Sequence, residues 1–161
     1  MKTKITILTL AICFALSNCA DHKEKTIVNV LAIANKTIEE VNSVLGKPDT
    51  IIKINPIIKV NPVGTPNETI AAIQVFYKNK NIVVVFIDDL SDWITIKNIS
   101  NLQMSEYIIT ALGLPQTNPR LFNPTSHISW EEVYGIKEIS FFSVDSSMVD
   151  NIYIRVNNRN N

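Results

Sequence analysis

Side chains able to do acid–base, nucleophilic or metal chemistry are few in this chain, and their spacing does not gather them. Asp88, Asp89 and Asp92 form the densest acidic cluster. Calcium takes about six to eight oxygen ligands, and an EF-hand loop adds a central glycine and a final glutamate. The run Asp88-Asp89-Leu90-Ser91-Asp92 has neither, and between two apolar stretches it reads as a solvated turn. Glu131 and Glu132 are adjacent carboxylates, but neighbours on a strand point to opposite faces and cannot converge on one substrate. His22 lies in a polar stretch, His127 opens an apolar run, and both cysteines fall within the first nineteen residues. That leaves no nucleophile–base pair. Zinc-ligand spacing, a glycine-rich phosphate loop and a Gly-x-Ser-x-Gly elbow are also absent from the sequence. The expectation is a protein with no catalytic residues, no metal and no cofactor.

Aromatic and cationic residues on strands are the better candidates for a site. Residues 93–97 alternate, and if Ile94 and Ile96 face a core, then Trp93, Thr95 and Lys97 face away from it. Ile152, Ile154 and Val156 likewise send Tyr153 and Arg155 outward. A sheet face carrying Trp, Tyr, Arg and Lys has a composition suited to contact with another protein. The competing reading is that a loop or helix covers this face and Trp93 is simply buried, since tryptophan is highly buried on average.

The elements that would position these residues are legible in stretches. Ile27 to Ala34 is apolar on both faces and fits a short helix or a strand. Thr37-Ile38-Glu39-Glu40 is a capping box, Ile38, Val41 and Leu45 share one helical face, and Gly46 followed by Pro48 ends the turn. A helix over 38–45 follows. Strands are predicted within 50–60, interrupted by Pro56, then at 70–78, 82–88 and 93–97. Val83 to Ile87 is apolar throughout and reads as a central strand covered on both sides. A second helix is predicted at about 101–112, with Ser100 and Gln103 as its capping box. Strands at 128–134, 136–144 and 149–156 complete the domain, and residues 157–161 form a frayed tail.

The first nineteen residues carry a different kind of signal. Lys2 and Lys4 precede an apolar run from Ile5 to Leu16, which is the layout of a secretory signal. As a helix that run spans about 18 Å, short of the ~30 Å hydrocarbon core of a bilayer. Leu16-Ser17-Asn18-Cys19 resembles the lipobox of bacterial lipoproteins, although Asn18 stands where a small residue is usual. The resemblance implies cleavage before Cys19 and lipid on its sulfur. The alternative is an ordinary cleavable signal with Cys19 incidental. On the lipoprotein reading residues 1–18 are removed, residues 19–26 form a lipidated tether, and residues 27–156 form one domain. The mature chain then has thirteen Lys and Arg against fifteen Asp and Glu, a net charge of −2. Near-neutral charge without a basic run argues against a nucleic-acid partner. Ala20 after the cysteine, where aspartate would resemble an inner-membrane retention signal, points to the outer membrane.

Two halves of the domain look alike. Val44-Leu45-Gly46-Lys47-Pro48-Asp49-Thr50 matches Ala111-Leu112-Gly113-Leu114-Pro115-Gln116-Thr117 at an offset of 67, with Gly46 and Gly113 expected in left-handed backbone. Independent helix stops would produce the same pattern. Thr37-x-x-x-Val41-x-x-x-Leu45-Gly46-x-Pro48 resembles the helix-end signature of the SmpA/OmlA group of small outer-membrane lipoproteins, and is similar to the repeats of β-lactamase inhibitor protein. The 67-residue offset reads as an α+β fold of two tandem helix-plus-antiparallel-strand units, about 37–100 and 101–156, with helices packed on a mostly antiparallel sheet, an arrangement like that of the inhibitor's repeats. The resemblance implies a non-catalytic envelope protein that acts by binding other proteins, and the expected role is structural, assembly-related or inhibitory. The rival functions are an envelope hydrolase or carbohydrate-acting enzyme, and a lipoprotein immunity factor. The expected partners are the membrane, through lipid on Cys19, and an envelope protein.

Overall fold

The structure is a computed structural model that describes residues 25–99, 101–144 and 147–157. The signal, Cys19, most of the tether and the terminal residues 158–161 lie outside the described residues. The helix α1 runs Ile38–Leu45. Its capping box is complete: Thr37 N donates to Glu40 Oε2 at 2.8 Å, and Glu40 N donates to Thr37 Oγ1 at 3.4 Å. The backbone donor at Thr37 is also the main reason that the Glu40 carboxyl titrates below its ordinary value. Val41 and Leu45 are buried, and the helix stops at Gly46 with φ 92° and ψ −168°. Essentially only glycine occupies that region. Nothing lies within 4 Å of a β-carbon built there, so backbone strain alone sets the cost of a substitution. Gly46→Val is expected to lose roughly 1–3 kcal/mol, read as a lower urea midpoint with an unchanged m-value.

The rest is strand. In chain order these are β1 (Thr50–Ile54), β2 (Ile57–Lys59), β3 (Glu68–Thr69), β4 (Ala72–Tyr77), β5 (Ile82–Ile87), β6 (Leu90–Lys97), β7 (Leu121–Asn123), β8 (His127–Val133), β9 (Ile136–Phe142) and β10 (Asn151–Arg155). Eight form one antiparallel sheet in the order β1-β4-β5-β6-β10-β9-β8-β7, while β2 and β3 pair separately as a hairpin arm. Pro56 falls between β1 and β2, where it costs no ladder hydrogen bond. The strand β5 is buried at all six positions, as its unbroken apolar run predicts. Asp88 and Asp89, both at positive φ, make the two-residue turn between β5 and β6.

The expected fold class is overturned. Among the described residues the domain is mostly antiparallel sheet with one α-helix, and it is not built from two helix-plus-strand units. Residues 101–112 hold a single 3₁₀ stretch, Ile108–Leu112. Two features divert this segment from an α-helix. Its first part spends backbone groups elsewhere: Met104 N donates to Ser147 O at 2.6 Å, Val149 N donates to Leu102 O at 2.8 Å, and Gln103 bridges Met148. Its second part carries the β-branched run Ile108-Ile109-Thr110, which crowds a helical turn. All five residues of the 3₁₀ stretch are buried, so no polar helical face remains. The proposed capping residue Ser100 lies outside the described residues. Gly113 does adopt a left-handed conformation, with φ 72° and ψ 15°.

One face of the sheet holds the main core. Val84, Ile94, Ile152, Ile139 and Ile128 project from successive strands onto Val41, Leu45 and the buried segments around Val30 and Ile109. The ambiguous stretch 27–34 contains a 3₁₀ turn at Val30–Ala32. It is stitched to β6 by Ser91, whose amide donates to Lys36 O at 2.8 Å and whose hydroxyl donates to Ile33 O. Tyr77 is fully buried and donates its hydroxyl to Asn42 Oδ1 at 2.9 Å, which ties β4 to α1. Desolvation pushes that phenol up to about 12, so it remains a donor throughout the physiological range.

Candidate binding groove

The opposite face of the sheet is covered on one side only. Ala72, Val85 and Ile87 form a second small cluster against Ile54, Ile70 and one side of Trp93. Beyond Trp93 the face opens into a groove of about 760 Å³, with the β2 strand as one wall and Trp93, Thr95, Tyr153, Arg155 and Glu138 among its lining. The β6–β10–β9 register explains how these side chains meet. Arg155 lies opposite Trp93 on one side and Glu138 on the other, and Tyr153 lies opposite Thr95 and Ser140. Side chains on one face of paired strands become neighbours in such rows.

Four of the five residues proposed as a contact face therefore line one groove. Lys97 does not: it stands past the end of the groove and lines a different cavity. Trp93 is half-buried beside the hairpin arm, while Tyr153 stays 47% exposed. Residues 57–60, which wall the groove, carried no signal in the sequence beyond a short apolar segment after Pro56. Glu138 was also missed, since its role depends on pairing opposite Arg155.

An aromatic row continues from Tyr153. Its ring meets Phe142 edge-on at 5.5 Å, and Phe142 stacks on His127 at 4.3 Å. His127 Nε2 lies 3.3 Å from Ser140 Oγ, and Ser140 donates to Glu138 Oε1 at 2.9 Å. The serine hydroxyl thus sits between the imidazole and the carboxylate, and the tautomer of His127 sets whether its ring is donor or acceptor toward Ser140 Oγ. Ser140 is also 1% exposed, out of reach of a substrate. The chain of contacts orients Glu138 at the groove.

The other candidates separate. Glu131 pairs with Arg120 and Glu132 with Lys137. Asp88 and Asp89 are exposed at their turn, but Asp92 is fully buried, which corrects the reading of all three as solvated. Val85 pairs with Trp93 and Phe86 with Ser91, so Asp92 is the extra residue of a bulge. There it accepts from Asn157 N at 3.0 Å. Among the described residues no three His, Cys, Asp or Glu side chains are grouped to hold a metal ion.

No family model matches the chain, and neither a curated protein nor a solved structure matches it.

Proposed function

We propose that this chain is a lipid-anchored lipoprotein of the bacterial envelope that binds a protein partner in the groove beside β2. The observation that carries the binding half is the half-open sheet face, where Trp93, Tyr153 and Arg155 surround a concavity with apolar and polar walls. Those three residue types dominate binding energy at protein interfaces when they are clustered and can be desolvated together. The anchoring half rests on the signal-like residues 1–18 and on Cys19. A structural, assembly or inhibitory role follows from such a module, with binding as its activity.

A photo-crosslinking amino acid in place of Tyr153, in cells of the native host, tests the groove. One discrete adduct is expected from position 153 and none from Glu39, which is exposed on α1. Trp93→Ala should reduce the adduct by about tenfold or more, as expected for a hot-spot tryptophan. No adduct at 153, or the same adducts from both positions, would overturn the reading.

A further inference from the structure

The cavity that Lys97 lines has a character the groove lacks. It occupies about 780 Å³ near the end of α1, and its lining includes Lys25, Lys78 and Lys97 but, among the described residues, no Asp or Glu. Asn81 holds two of these lysines side by side. Asn81 N donates to Lys78 O at 3.2 Å, and Lys97 N donates to Asn81 O at 2.8 Å. Between the lysines the wall is aliphatic, with Ile27 39% and Val44 44% exposed. In the adjoining cavity the carboxylate of Asp150 is engaged, accepting from Val144 N at 2.6 Å.

The position of the cavity along the chain says what faces it. Lys25 follows Cys19 by six residues, which reach at most ~20 Å. Lipid on Cys19 would therefore keep the cavity mouth beside the membrane surface, and three lysines in one lining complement an anionic surface. Exposed aliphatic side chains among the cations suit the glycerol and upper acyl region of a lipid.

We infer that the cavity lined by Lys25, Lys78 and Lys97 docks an anionic phospholipid of the membrane that holds Cys19. The ammonium groups take the headgroup phosphate, and Ile27 and Val44 take the adjacent carbons. This orients the domain on the bilayer instead of leaving it free to swing on its tether. The inference rests on the lipoprotein reading above.

The test uses the mature lipidated protein in vesicles of phosphatidylcholine, with or without phosphatidylglycerol. With Cys13 removed in the signal and Cys19 acylated, Ser43→Cys, exposed beside the cavity and outside its lining, supplies the one free thiol for a fluorophore. A lipid with a nitroxide headgroup serves as quencher, and Val63→Cys on the exposed 61–67 loop is the control. Quenching at position 43 should rise severalfold when phosphatidylglycerol is added and fall back at about 1 M salt, where the Debye length is only ~3 Å. Each lysine near an anionic surface is worth about fivefold, so replacing Lys25, Lys78 and Lys97 by Gln should lower the docked-to-free ratio roughly a hundredfold. Equal quenching with both lipids, or an equal rise at position 63, overturns the inference and leaves the anchor intact. Mature protein whose mass shows no lipid on Cys19 overturns both.

Discussion

Cys19→Ser is expected to abolish fatty-acid labelling of the protein completely. On the lipoprotein reading the sulfur of Cys19 is the atom that would receive lipid, and Cys13 lies inside the apolar run and would leave with the proposed signal. A single acyl chain gives only marginal membrane binding, but each buried CH₂ adds ~0.8 kcal/mol, so the two or three chains of a bacterial lipoprotein anchor it essentially permanently. Among the described residues no helix is long and apolar enough to cross a membrane. The lysine cavity carries three charges, each worth about 1 kcal/mol at an anionic surface, and cannot replace those chains. Fractionation alone would mislead, because uncut precursor would keep the apolar run 5–16 and stay with the membrane. Mass spectrometry of the mature N-terminus, together with labelled fatty acid, decides the matter. Unlipidated wild-type protein, or equal labelling of Cys19→Ser, would leave an ordinary secreted protein.

How far residues alone predicted the fold depends on how local each signal is. The Val83–Ile87 strand, the break at Pro56 and the capped helix over 38–45 were all legible, because period, turn residues and caps act within a few positions. Residues 101–112 were misread for the converse reason. Gly113 and Pro115 supply a convincing helix stop, but the competing hydrogen bonds come from residues 147–149, more than forty positions away. The loss of that helix removes the tandem α+β units with it. The groove follows the same rule. Alternation placed Trp93, Thr95, Tyr153 and Arg155 on one face, whereas the β2 wall and Glu138 arrive through tertiary placement and strand register. Lys25, Lys78 and Lys97 are so dispersed in sequence that no basic run reveals them. The burial of Asp92 needs a bulge, which shifts alternation by one residue and has no compositional mark here.

The two tryptophans should respond to truncation in opposite ways. Trp130 on β8 is 1% exposed and meets Phe141 edge-on at 5.7 Å. Its indole N–H donates to Thr117 O at 2.9 Å, which pins the segment leading into β7 against the sheet. Trp130→Ala therefore opens a large cavity and leaves a carbonyl without its donor. The expected loss is roughly 3–5 kcal/mol, a large share of the ~5–15 kcal/mol that holds a typical domain together. Trp130→Phe refills most of the volume but not the hydrogen bond, so its loss should be smaller, about 1–3 kcal/mol. Trp93 is half-buried and already faces the groove, so Trp93→Ala should cost less stability than Trp130→Ala and far more partner crosslinking. Urea unfolding of both variants beside crosslinking at position 153 separates the roles. If Trp93→Ala unfolds the domain as readily as Trp130→Ala, Trp93 is a core residue and the groove loses its principal binding anchor. If stability falls only for Trp130→Ala while crosslinking falls for Trp93→Ala in folded protein, one face of the sheet holds the domain together and the other is available for a partner.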